Sequence, residues 1–214
     1  MSAREEILSR IGTALADSPA GDRAGRSVVP RGYLRRHAND DLTALFADRV
    51  ADYLAVVSRV PADRVPAAIA AAVTSLGLAE IVVASGLQAA WLPDLAGVSW
   101  LADEPPLTVE ALDRCDAAVT TAALGIAVTG TIVLDAGIGQ GRRALTLVPD
   151  VHLCVIRADQ IVADVPDAIA RLDAVRPLTF ISGPSATSDI ELERVEGVHG
   201  PRTLHVIIAE GSTA

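Results

Sequence analysis

Ser182-Gly-Pro-Ser-Ala-Thr-Ser-Asp-Ile-Glu191 is the stretch richest in groups that can do chemistry. Gly183 lets the backbone approach a ligand closely, Ser182 and Ser185 offer hydroxyls, and Asp189 and Glu191 offer carboxylates for acid or base work. Ser188 with Glu191 has capping-box spacing, so a short helix is expected to start there, and its amino end behind a Gly and Ser loop attracts anions. The two carboxylates already supply negative charge to that end. They disfavour a multiply charged phosphate and suit hydroxyls or a cation better. Plain capping of the helix accounts for the same residues equally well. Gly197-Val-His-Gly-Pro201 then reads as a helix stop and turn, placing His199 on a loop. A histidine on such a turn can act as general acid or base, although a hydrogen bond within the turn is its commoner use.

Two earlier segments adjoin strands in the same way. Gly-Ile-Ala-Val-Thr-Gly-Thr (125–131) brings Thr129, Gly130 and Thr131 as candidate ligand contacts. Arg142-Arg-Ala-Leu-Thr-Leu-Val-Pro-Asp-Val-His152 brings Arg142 and Arg143, either of which can pair bidentately with a carboxylate or phosphate. Gly137, Gly139 and Gly141 lack the phosphate-fingerprint spacing and read as a hairpin loop. His152 and Cys154 share one face of a strand, which is half a metal site. No matching cluster is visible nearby, so burial of Cys154 is the preferred reading and no metal is assigned.

Composition removes several classes. Among 214 residues, all 18 basic side chains are Arg and 27 are acidic, a net charge of -9. That charge opposes nucleic-acid binding, and without Lys no Lys Schiff base or Lys-dependent phosphate loop can form. Two cysteines, Cys115 and Cys154, are too few for a four-thiolate iron-sulfur cluster, so no cofactor is expected on this chain. The charged start Met1-Ser-Ala-Arg-Glu-Glu lacks the apolar run of a secretory signal, which points to the cytoplasm. The uncharged run 117–134 contains four Thr and two Gly, suiting strand and turn better than a membrane span.

Positioning falls to the following elements. Ser2 and Glu5 form a capping box before a helix with Ile7, Leu8, Ile11 and Leu15 on one face. Residues 17–32 read as a flexible arm, with Arg23, Arg26, Arg31, Arg35 and Arg36 in it and at its end. Asn39 or Asp40 is expected to cap a helix with apolar spacing from Leu42 to Val57, and a third helix runs from Pro66 to Gly77. Strands are expected at 80–85, 98–101, 117–121, 131–134, 153–156, 178–181 and 204–208, with a short helical stretch at 87–92. The order specifies an α/β domain, residues 39–214, with a largely parallel sheet covered by helices on both faces, behind an N-terminal helix and arm, residues 1–38. In such sheets ligands bind at strand-end loops.

Gly-Ile-Ala-Val-Thr-Gly-Thr-Ile-Val-Leu (125–134), Leu-Val-Pro-Asp-Val-His (147–152), residues 181–191 and Gly-Val-His-Gly-Pro (197–201) together resemble the lactate utilization protein C family of LUD-domain proteins. The resemblance implies a fold like that of the NagB, ribose-5-phosphate isomerase and CoA-transferase superfamily. It also implies a part in oxidising L-lactate to pyruvate beside iron-sulfur and cysteine-rich partner subunits, whose clusters would complement this cysteine-poor chain. Many relatives carry an acidic residue just before Thr-Gly-Thr. Here that position is Val128; if a carboxylate there is the family's general base, Asp189, Glu191 or His199 would have to substitute.

Three functions follow. The first is a subunit of a lactate-oxidising system that binds a small hydroxy or keto acid between the loops near 130 and 187, with Arg142 or Arg143 on its carboxylate. The second is a stand-alone isomerase, CoA-transferase or cyclo-ligase-like enzyme. The third is a non-catalytic assembly subunit.

Overall fold

The computed structural model describes residues 2–16, 41–187, 195–196 and 199–211. The arm at 17–32, the Ser188 to Glu191 capping box and Gly197 lie outside the described residues. The chain divides into two compact units, Met1–Leu34 and Arg35–Ala214. In the first, α1 (Ala3–Ala14) starts at the Ser2 and Glu5 capping box and leaves Ile7, Leu8, Ile11 and Leu15 exposed.

The second unit begins with α2 (Leu42–Asp52), which Asp41 caps by accepting from the Ala44 amide at 2.9 Å. The helix was expected to run to Val57. It stops at Tyr53, the chain turns at Leu54 with φ 67°, and Val56 and Val57 enter a strand, β1 (Val56–Pro61). Long-range parallel pairing with the last strand outweighs the helical spacing of these β-branched residues. A 3-10 turn leads into α3 (Val65–Leu76), with Pro66 in its first turn and Gly77 as its left-handed cap. Then come β2 (Glu80–Val83), a 3-10 turn at Ala89–Trp91, β3 (Ser99–Ala102), α4 (Val109–Asp113) and β4 (Ala117–Thr121). They are followed by β5 (Leu124–Ile126), β6 (Thr131–Leu134), a 3-10 turn at Arg143–Thr146, β7 (Val151–Arg157) and β8 (Ile161–Val162). The described chain closes with α5 (Val165–Arg171), β9 (Thr179–Ile181), the short pair β10 (Ala186–Thr187) and β11 (Val195–Glu196), and β12 (Thr203–Glu210). No helix among the described residues is long and apolar enough to cross a membrane.

Six strands form an entirely parallel sheet in the order β1-β12-β7-β4-β2-β3. On one face Leu153, Val155 and Ile207 pack against Val65, Ile69 and Val73 of α3. On the other, Cys154, Ile156, Val206 and Ile208 meet Phe46 and Val50 of α2. This is the expected α/β architecture with helices on both faces.

A second sheet was not foreseen. It has the order β8-β5-β6-β9, shares the α2 face of the first sheet through Ile132 and Leu134, and is covered outside by Ala168 of α5. Its strands come from two successive crossovers. β5 and β6 lie between β4 and β7, whereas β8 and β9 lie between β7 and β12. Nor is the glycine segment after β6 a hairpin loop, because β6 pairs with β5 and β9 and the next strand belongs to the other sheet. Instead the Gly139 amide donates to Ser85 O (2.9 Å) and its carbonyl accepts from the Thr121 amide (2.7 Å). The turn thereby bridges the carboxyl ends of β2 and β4, where the strand order reverses and an open α/β sheet usually leaves a crevice.

Candidate functional site

With that crevice bridged, the cavity that gathers the sequence-derived candidates lies elsewhere. It has a volume of about 230 Å3 and sits at the carboxyl end of β9 and the amino ends of β7 and β12. Arg143, Ser182, Gly183, Ser185 and His199 line it, together with Thr146, His152 and the apolar Phe180, Pro201 and Leu204.

The loop after β9 is pinned from two sides. The Ser185 amide donates to Pro201 O (2.8 Å), and Ser185 Oγ accepts from the His199 amide (3.0 Å). Both turn segments therefore converge as one wall, and the exposed His199 sits on it. Gly183 has φ +84°, and a Cβ there would lie 2.5 Å from Tyr53 Cβ, so glycine is required both conformationally and sterically. Asp189 and Glu191 lie outside the described residues.

The stretch around residue 130 touches this wall without lining the cavity. Thr131 Oγ1 lies 2.8 Å from Ser182 Oγ and 2.7 Å from Thr129 Oγ1, a hydroxyl chain that fixes the start of the loop. Gly130, with φ +58°, lies so close to α2 that a Cβ would meet the Arg49 carbonyl carbon at 2.6 Å. At Gly125 a Cβ would meet the Phe46 ring at 2.9 Å. The glycines of this motif thus seat α2, and its threonines hold Ser182.

The two adjacent arginines have different tasks. Arg142 makes a two-pronged pair with buried Asp103, Nε to Oδ2 at 2.7 Å and Nη2 to Oδ1 at 3.0 Å, and donates also to Leu107 O. Burial tends to raise the Asp103 pKa, but hydrogen bonds from Arg142 and the Leu107 amide outweigh it and hold the carboxyl below its ordinary value. Arg142 is therefore a structural clamp, away from the cavity. Arg143 faces the cavity. Its Nη1 donates to Thr146 O (2.9 Å) and Oγ1 (2.6 Å), partial burial lowers its pKa, and no carboxylate pairs with it among the described residues.

His152 is the site residue whose role the sequence did not reveal. Its side chain is 1% exposed on the second-sheet side of β7, and Nε2 lies 2.8 Å from Thr120 Oγ1. Burial first, and the Arg143 charge second, push its pKa down to about 4, so the imidazole is neutral at pH 7. Nδ1 has no partner among the described residues, and His152 lines the cavity. Cys154 lies on the same face of β7 as His152. Burial raises that thiol to about 12, and no group of three metal-ligating side chains occurs among the described residues. The cavity thus combines an unneutralised guanidinium, a neutral imidazole, two serine hydroxyls and an apolar side. These suit a small organic acid with an oxygen substituent.

Comparison with known proteins agrees with this architecture. The LUD domain family profile matches residues 42–209. A protein named Lactate utilization protein C from Deinococcus radiodurans is 45% identical over 211 residues, covering 96% of this chain and 95% of its own. A protein of the same name from Halalkalibacterium halodurans is 31% identical over 120 residues, 52% of each chain. Among solved structures, a DUF162 family protein from Deinococcus radiodurans superposes with a TM-score of 0.69 at 42% identity, covering 82% of this chain and 99% of that one. A profile match over residues 42–209 and a relative 45% identical over nearly the whole length mean that the chain belongs to the LUD domain family.

Proposed function

We propose that the chain works in the cytoplasm as a component of lactate utilization and that the cavity between β9, β7 and β12 holds a small 2-hydroxy or 2-oxo acid. The observation that carries this reading is Arg143. It is a partly desolvated cation with no carboxylate partner among the described residues, facing a buried neutral imidazole. The guanidinium takes the acid's carboxylate in two parallel hydrogen bonds. The Nδ1 side of His152 meets the 2-oxygen, and Phe180 and Leu204 cover the short carbon chain. An imidazole that resists protonation orients a hydroxyl better than it removes a proton. Proton transfer is assigned instead to His199 at the cavity wall, with Asp189 and Glu191 on the same stretch of chain as the other candidates. Oxidation of L-lactate to pyruvate releases two electrons and two protons. With only two cysteines, both buried, this chain is read as cluster-free, and iron-sulfur and cysteine-rich partner subunits accept the electrons.

One observation favours a second reading, a non-catalytic assembly subunit: the exposed row of Ile7, Leu8 and Ile11 on α1. Purification from lactate-grown cells separates the two. The enzyme reading expects a co-purifying iron-sulfur protein and thermal stabilisation of the isolated chain by L-lactate or pyruvate but not propionate, lost in R143M. Co-purification without any ligand response would leave the assembly reading, and normal growth of a deletion strain on L-lactate without another lactate enzyme would end both.

A further inference from the structure

A second cleft, of about 650 Å3, opens over the carboxyl ends of β4 and β7 beside the Gly139 turn. Its volume lies within the range of pre-formed organic-ligand sites and is well above that of the first cavity. It also occupies the end of a parallel sheet where such sites are usually built.

Two of its groups have no partner of the expected kind among the described residues. Trp91 is 6% exposed, packs in the α3 core and lines the cleft, and its indole N–H has no acceptor among the described residues. An indole nitrogen only donates. Three guanidiniums surround the same space. Arg157 is neutralised by Asp159 at 3.0 Å and Arg176 by Asp135 at 3.1 Å, while Arg171, at the last turn of α5, has no carboxylate partner among the described residues. In a chain of net charge -9, the cleft therefore carries a positive charge with no carboxylate partner and an indole donor with no acceptor among the described residues.

We propose that this cleft is a second binding site for an anionic organic ligand of nucleotide size, whose phosphate or carboxylate group is held by Arg171 and whose further oxygen accepts from the Trp91 indole. Either oxyanion fits a guanidinium fork. The site shares no lining residue with the first cavity and stands independently of the proposed lactate role.

Trp91 is its own reporter. The chain has two tryptophans, so W100F leaves Trp91 as the sole tryptophan, read by selective excitation, and ADP, pyrophosphate and citrate can be titrated into the full-length protein. The expected result is a saturable change with at least one probe, weakened roughly tenfold by R171S and unaffected by R143M. ADP or pyrophosphate responding alone assigns a phosphate ligand, and citrate responding alone a carboxylate one. The indole N–H signals of the 15N-labelled wild-type chain give the same readout without substituting Trp100. No response to any probe at millimolar concentration, or a response that R171S leaves intact, overturns the proposal.

Discussion

Nε2 of His152 lies 2.8 Å from Oγ1 of Thr120, on adjacent parallel strands and with both side chains shut away from solvent. The pair keeps one imidazole nitrogen occupied inside the protein and leaves the other for the cavity. It also makes the fold sensitive to acid. Burial lowers His152 to about 4 from 6.5, so between these values the unfolded chain binds more protons than the folded one, and stability falls as pH falls through that window. The loss is about 3 kcal/mol across the full window, with buried His205 adding to it in the same direction. Urea midpoints at pH 7.5 and pH 5 should therefore separate more for the wild type than for H152Q. Equal separations would mean that His152 is not held neutral.

Arg142 and Arg143 should respond oppositely to substitution. R142M leaves Asp103, whose side chain is 6% exposed, without its counter-ion and should cost about 3 kcal/mol while sparing ligand binding at the first cavity. R143M breaks no ion pair among the described residues but removes two hydrogen bonds to buried Thr146, so it should cost about 1–2 kcal/mol, less than R142M, while abolishing acid binding. Thermal melts with and without L-lactate or pyruvate read both effects, and a reversed pattern would contradict the assignment.

Two glycines with similar backbones should differ in what alanine does. Gly77 has φ +64° with nothing near its missing Cβ, so G77A should cost only about 1 kcal/mol of backbone strain. Gly183 has φ +84° and Tyr53 Cβ 2.5 Å away, so G183A should cost more and should displace Ser185 as well. Chemical denaturation ranks the two. Loss of acid binding in G183A but not in G77A would show that the Tyr53 contact sets the cavity wall.

Both cysteines should be inert in the folded chain. Cys154 is fully buried and raised to about 12, and Cys115 is buried with its pKa raised by desolvation and nearby carboxylates. Mass spectrometry after iodoacetamide treatment at pH 8 should find neither labelled until denaturant is added, and rapid native labelling of either would contradict this packing.

Much of the main sheet was legible because its strands are short apolar runs bounded by turn residues, as at Ile81 to Val83 and Leu204 to Ile208. β1 was hidden because Val57 completes a helical spacing, and only its partner β12 makes it a strand. β5 and β8, at three and two residues, are too short to show a period, so the second sheet could not be read. At the site, residue types were informative but their directions were not. Arg142 and Arg143 are equivalent in sequence, and an acid 39 positions away decides which one remains for a ligand. His152 stood out as a possible metal ligand, yet its position facing the cavity depends on the register of β7 against β4.

The second sheet interleaves two separate excursions of the chain. β5 and β6, from the first, lie between β8 and β9, from the next. Neither excursion can peel away without tearing backbone bonds of the other, so amides from Leu124 to Ile181 that lie in this ladder should exchange with deuterium as one block. Ser182 follows directly on the last strand of that clasp. The cavity thus hangs from a knot-like fastening whose far edge lies at Ile161 and Val162, and loosening at that edge would be felt by a guest held beside Ser182.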